Sequence, residues 1–162
     1  MSGIRRGAWG WKRFYREEQA DRARGVESVL KSGDWQTLLT VTMDKGVSRE
    51  ECFHFFQYVI RRLETGLLPR RKLRWAAVAA RSAKINAREA WHIHAAVGQM
   101  VGSPLTIPKI PAMLAAEKGM KSIDLTPWRP SGDWNHPGYV SAHIARDEDA
   151  TDYYSEGLGR TL

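Results

Sequence analysis

A β-branched segment followed at once by an apolar pattern of helical period spans residues 36–64. Gln36–Met43 (QTLLTVTM) is flanked by turn-forming residues and predicts a buried strand. Ser48-Arg-Glu-Glu51 matches a capping box, in which the serine and glutamate side chains bond backbone N–H groups at the start of a helix. We therefore predict an amphipathic helix over residues 48–64, and its apolar positions are Cys52, Phe55, Phe56, Val59, Ile60 and Leu63.

Three further segments have strand-like composition, namely Lys72–Arg81, Ala90–Gly98 and Lys121–Trp128, although the alanines of the first also suit a helix. A short helix is expected to end near residue 117, and another covers Gly138–Arg146. The order β-α-β-β-α-β plus one helix predicts an α+β, ferredoxin-like fold. This fold has a four-stranded antiparallel sheet with helices on one face, here followed by an extra C-terminal helix.

The length, charge and cysteine content of the chain limit the classes of protein to which it can belong. A chain of 162 residues that is 43% hydrophobic suits one domain, which we assign to residues 34–162 after a basic N-terminal extension at residues 1–33. The formal charge of +7 favours a polyanionic partner. A single cysteine excludes an internal disulfide, and no apolar run reaches the roughly 20 residues that cross a membrane. We expect a cytoplasmic protein that does not bind membranes.

Two histidines flank one apolar residue on the third predicted strand. Side chains alternate between the faces of a strand, so His92 and His94 point to the same side and Ile93 to the other, toward the helices, where Trp91 also packs. Two imidazoles at such positions can chelate one cation and leave coordination sites for substrate oxygens. The alternative is a pair of hydrogen-bonded histidines with no metal.

Several short segments, taken in order, resemble the HUH endonuclease superfamily, in which U is a hydrophobic residue. Residues 38–43 with 47–50 resemble the first strand motif of rolling-circle replication initiators, and His92-Ile-His94 resembles the HUH motif itself. Gly138–Arg146 resembles the helix that carries the nucleophilic tyrosine, and Tyr154–Gly159 a segment that follows it. The resemblance extends from Gln36 to Gly159.

The resemblance implies a metal-dependent enzyme that nicks and rejoins single-stranded DNA for a plasmid or phage. Mg²⁺ or Mn²⁺ would polarise the scissile phosphate, and Tyr139 would attack it, leaving a 5′-phosphotyrosine link and a free 3′-hydroxyl. No Walker A motif is present, so unwinding and synthesis would require a host helicase and polymerase. A tyrosine transposase of the same superfamily shares these features.

The sequence departs from the family pattern near the nucleophile and in the ligand set. The family commonly has a lysine three or four residues after its tyrosine, where this chain has Ala142 and His143. His143 either replaces that lysine or binds metal. No carboxylate occurs on the preceding strand, so the third ligand is Glu89, His143 or water. Tyr153 and Tyr154 are alternative nucleophiles.

Basic residues cluster beside the predicted strands and are candidates for phosphate contacts. The candidate DNA-binding residues are Arg70, Arg71, Lys72, Arg74, Arg81, Lys84, Arg88 and Arg146. Thr40 and Thr42 share one strand face and either contact DNA or pack, whereas His54 and His136 have no partner pattern and are assigned structural roles. The rival function is nucleic-acid binding without catalysis. RNA-recognition domains share this strand order but carry aromatic residues on the third strand.

Overall fold

The computed structural model describes residues 17–66, 72–81, 90–98 and 120–155. The helices of these ranges are α1 (Glu17–Ser32), α2 (Arg49–Gly66) and α3 (His136–Arg146). The strands are β1 (Thr37–Met43), β2 (Arg74–Arg81), β3 (Trp91–Gly98), β4 (Met120–Pro127) and β5 (Thr151–Tyr154). The short helix predicted to end near residue 117 lies outside the described residues.

The five strands form one antiparallel sheet in the order β4-β1-β3-β2-β5. The first four strands have the ferredoxin-like order, so the predicted α+β fold with a C-terminal helix is confirmed. The four-residue strand β5 pairs with the outer edge of β2 and was not predicted from the sequence. Four residues are too few to display an alternating pattern, so tertiary pairing alone defines this strand.

Alternating side chains divide the sheet into two apolar faces. On one face, Leu39, Val41 and Ile93 pack against α2, whose Phe56 is fully buried. Ile93 therefore points toward a helix, as predicted, and Trp91 packs against the same core. The predicted capping box of α2 is present, because Ser48 N–H donates to Glu51 at 2.9 Å and Glu51 N–H donates to Ser48 Oγ at 3.1 Å.

The opposite face of the sheet is covered by α1 and α3. Leu38, Val78 and Ala96 pack there with apolar residues of both helices, including Leu30 and Ile144. The sequence predicted helices on one face of the sheet, whereas the structure has helices on both faces. Residues 17–32, which the sequence places in a basic extension, share this core through α1. The sequence allows a helix over residues 13–30, but the stretch is polar on most faces, so its small apolar residues did not predict that it packs on the sheet.

Within the described ranges, no helix combines the length and the apolarity needed to cross a membrane.

Candidate metal centre

The histidine pair lies on β3, between β1 and β2 at the middle of the sheet. Thr40 of β1 and Val78 of β2 are the neighbours of His94, and Thr42 and Ala80 are those of His92. The two histidines are 8% and 5% exposed and lie on the face covered by α1 and α3, which we call the histidine face. The predicted common orientation of the two imidazoles is thus confirmed.

Helix α3 brings a third imidazole to this pair. His143 lies with its ring centroid 5.0 Å from that of His92 and 4.7 Å from that of His94. One nitrogen from each of the three residues lies within 4.8 Å of the others, so this three-histidine cluster can hold a metal ion. The sequence left Glu89, His143 and water as candidates for the third ligand. The structure brings His143 to the pair, and Glu89 lies outside the described residues.

His94 is bonded at both ring nitrogens. Its Nδ1 lies 2.9 Å from the hydroxyl oxygen of Thr40, and its Nε2 lies 3.3 Å from that of Tyr139. When Nδ1–H donates to Thr40, the lone pair of Nε2 points toward Tyr139 and the cluster. A partner at one ring nitrogen commonly selects the tautomer whose other nitrogen binds metal. In that tautomer, the Thr40 contact orients His94 as a metal ligand.

Burial favours the neutral, metal-binding form of all three imidazoles. It lowers the pKa of His92, although Asp147 and the Ala90 backbone oppose this effect. It lowers the pKa of His94 well below the ordinary value, and charge on the neighbouring histidines adds to the shift. Burial, His92 and Arg146 together lower the pKa of His143 to about 3. Neutral imidazoles keep the lone pairs that metal binding requires.

One buried imidazole nitrogen of the cluster lacks a hydrogen-bond partner among the described residues, which favours a ligand there. Nε2 of His143 is buried and has no hydrogen-bond partner among the described residues. An unpaired buried polar atom carries a cost of about 1–3 kcal/mol, which a ligand at that atom removes. The cluster offers three nitrogen donors at separations suited to one ion, so its residues fit a divalent cation.

Of the three tyrosines proposed as nucleophiles, Tyr139 contacts the cluster. Its ring centroid lies 4.9 Å from that of His94 and 5.1 Å from that of His143. Burial raises the pKa of Tyr139, and Arg146 opposes the shift. Tyr153 lies on the opposite sheet face, stacked on Phe53 with centroids 3.9 Å apart. Tyr154 packs in the core under α1 and α3, and burial raises its pKa too.

The predicted phosphate-binding residues are only partly described. Arg146 is exposed near Tyr139 at the end of α3, and Lys72 and Arg74 are exposed near the start of β2. Arg81 has structural partners, because its guanidinium binds Asp147 at 3.1 Å and Asp149 at 2.5 Å and lies over the Trp91 ring. The remaining predicted contacts, Arg70, Arg71, Lys84 and Arg88, lie outside the described residues.

Sequence reasoning left two polar neighbours of the cluster without a role there. Thr40 was assigned to DNA contact or packing, and its bond to His94 depends on the register between β1 and β3. Asp147 follows α3, and its side chain accepts the Arg81 backbone N–H at 2.8 Å, which joins the end of this helix to β2. No sequence motif signals either contact, since both link elements far apart in the chain.

Comparisons of the chain with protein-family models, with curated proteins and with solved structures found no match.

Proposed function

We propose that this protein nicks and rejoins single-stranded DNA in a metal-dependent reaction of the HUH type, with Tyr139 as nucleophile. The observation that carries the proposal is the contact of the Tyr139 hydroxyl with Nε2 of His94, at 3.3 Å, beside the three-histidine cluster. A hydroxyl nucleophile and a cation site in contact are the two components that phosphoryl transfer to a tyrosine requires. The formal charge of +7 is consistent with a polyanionic substrate.

In the proposed reaction, Oη of Tyr139 attacks the scissile phosphorus. The Oη–P bond forms, the bond from phosphorus to the 3′-oxygen breaks, and a 5′-phosphotyrosine link remains. The proton lost by the phenol is balanced by the proton that the departing 3′-oxygen takes up through solvent. Rejoining is the reverse reaction, and it needs no ATP because the phosphodiester is exchanged for a phosphotyrosine ester.

The residues of the cluster explain how a weak nucleophile would be used. Burial raises the pKa of Tyr139, so the hydroxyl is protonated near neutral pH. In the metal-free site, Nε2 of His94 contacts this hydroxyl and orients it. A bound divalent cation supplies positive charge that stabilises the phenolate and the phosphoryl oxygens. Three nitrogen donors favour Mn²⁺ over Mg²⁺, because Mg²⁺ prefers oxygen ligands.

The proposed substrate is an origin or transfer site of a plasmid or phage. Arg146 lies exposed at the end of the helix that carries Tyr139, where it is available to a phosphate of the strand. A host helicase and polymerase would supply unwinding and synthesis.

The test is covalent capture of DNA. The protein is incubated with Mn²⁺ and a labelled single-stranded library of random sequence, and adducts that survive SDS are isolated and sequenced. Tyr139→Phe should abolish the adduct while Mn²⁺ binding is retained, because all three imidazoles of the cluster remain. Tyr153→Phe is the matched control, since this ring lies on the other sheet face, and it should retain adduct formation.

An absence of adduct with wild-type protein under Mn²⁺, Mg²⁺ or other divalent ions would overturn the nuclease proposal. Retained binding of single strands in that experiment would identify a nucleic-acid-binding protein without catalysis. Retained adduct in Tyr139→Phe would assign the nucleophile elsewhere.

A further inference from the structure

The loop between β4 and α3 is closed by two reciprocal hydrogen bonds. The backbone N–H of Arg129 donates to Nδ1 of His136 at 2.9 Å, and the backbone N–H of His136 donates to the Arg129 carbonyl at 2.8 Å. Inside the loop, Asn135 donates to the Gly132 carbonyl at 2.8 Å, and Gly132 has a φ of +100° that suits glycine. The loop therefore holds the His136 ring in a defined place.

The Arg129 contact fixes the tautomer of His136. A backbone N–H can only donate, so Nδ1 must accept with its lone pair, and the ring proton of the neutral imidazole resides on Nε2. The Trp128 ring lies beside the imidazole, with centroids 5.2 Å apart. Desolvation and the nearby Arg129 lower the pKa of His136, which keeps the ring neutral. His136 is thus a side chain with one committed acceptor and one available donor.

Helical spacing places His136 one turn before Tyr139. His136 begins α3, three residues before Tyr139 and seven before His143, so all three lie on one face of the helix. A DNA strand with a phosphate at Tyr139 is therefore within reach of His136.

We propose that His136 is a substrate-binding residue that donates a hydrogen bond from Nε2 to a phosphate oxygen of the strand beside Tyr139. The inference rests on the proposed function and assigns a binding role to a histidine that the sequence analysis treats as structural. A phosphate oxygen is an acceptor, which matches the donor that the Arg129 contact leaves on the ring. The positive charge of Arg129, which is exposed, adds attraction for the same phosphate.

Two substitutions of His136 test the roles of its two ring nitrogens separately. His136→Asn keeps an acceptor near the position of Nδ1 and removes the donor at Nε2. His136→Gln supplies an N–H near the position of Nε2. Relative to wild type, the asparagine variant should keep its melting temperature and its Mn²⁺ affinity within about twofold. Its Kd and KM for a captured oligonucleotide should rise about tenfold or more, with kcat little changed, and glutamine should restore part of the loss.

A cycle with modified DNA tests the contact itself. Neutral methylphosphonate linkages are placed one at a time along the oligonucleotide, and binding is measured with wild type and with His136→Asn. One linkage should weaken wild-type binding and have little further effect in the variant. If the asparagine variant does not fold, His136→Ala, which also lacks the Nε2 donor, takes its place in the cycle.

The outcomes distinguish the two proposals. If His136→Asn binds and reacts like wild type, the inference is wrong while the Tyr139 result is unaffected. If Mn²⁺ affinity falls together with DNA binding, His136 acts by holding the cluster, and the inference is again wrong. If wild type forms no adduct, the nuclease proposal fails, and the binding cycle, run on a single strand selected for binding, still decides the role of His136.

Discussion

The hydroxyl of Tyr139 lies 3.3 Å from Nε2 of His94, although the two residues are 45 positions apart in the chain. The nitrogen that the hydroxyl contacts belongs to a ring whose other nitrogen is bonded to Thr40. A cation bound at Nε2 would use the lone pair that otherwise accepts from Tyr139. Metal binding and orientation of the phenol are therefore coupled through a single atom.

Removal of the third imidazole should weaken metal binding. His143→Ala is expected to lower Mn²⁺ or Co²⁺ affinity by at least about tenfold, because the cluster loses one of its three nitrogen donors. Titration calorimetry measures the affinity, and the visible spectrum of bound Co²⁺ reports the donor set. The control is His54→Ala, an exposed histidine on α2. Equal affinity in both variants would rule out His143 as a ligand.

Loss of the Thr40 hydroxyl should weaken metal binding without removing a ligand. Thr40→Val retains the side-chain shape but not the bond to Nδ1 of His94, and we expect a 10–100-fold lower affinity, typical for partners of metal-bound histidines. Thr40→Ser keeps the hydroxyl and should therefore retain most of the wild-type metal affinity. The matched control is Thr42→Val, because Thr42 lies on β1 with Thr40 and pairs with His92 of β3. Similar losses for Thr40→Val and Thr42→Val would indicate a general packing defect.

Metal-free protein should lose stability as the pH falls below about 6.5. The imidazoles of the cluster have lowered pKa values when folded, that of His143 about 3, so unfolding takes up protons in this range. Stability is complete above the unfolded pKa and declines as the pH falls toward the folded values. Each group that gains a proton on unfolding costs about 1.4 kcal/mol per pH unit.

Urea unfolding in the presence of EDTA at pH 7.5 and at pH 5.5 measures this dependence. His143→Gln should reduce the slope because one titrating group is gone. An equal free energy of unfolding at the two pH values would contradict the burial of neutral imidazoles.

The carboxylate of Asp147 should contribute more to stability than that of Asp149. Asp147 is 10% exposed and accepts both the Arg81 backbone N–H and its guanidinium, whereas Asp149 is 58% exposed. We expect Asp147→Ala to lower the free energy of unfolding by about 1–3 kcal/mol, and Asp149→Ala by about 0–1 kcal/mol. The urea midpoints of the two variants make the comparison. The reverse order would show that the exposed bridge to Arg81 dominates.

Local periodicity was enough to predict much of the fold and half of the site. Alternation on a strand puts His92 and His94 on one side whatever surrounds them, and helical geometry puts His143 one turn after Tyr139. The capping box and the apolar spacing likewise predicted α2, since both depend on residues within a few positions of one another. Each of these features follows from backbone geometry alone.

Tertiary structure decided which of these local pieces meet. Sheet register placed Thr40 beside His94, and the packing of α3 over the histidine face brought Tyr139 and His143 to the pair. The tertiary structure also covered this face with α1, added β5, and turned Arg81 toward Asp147. These contacts join residues tens of positions apart, where packing rather than sequence periodicity sets the distances.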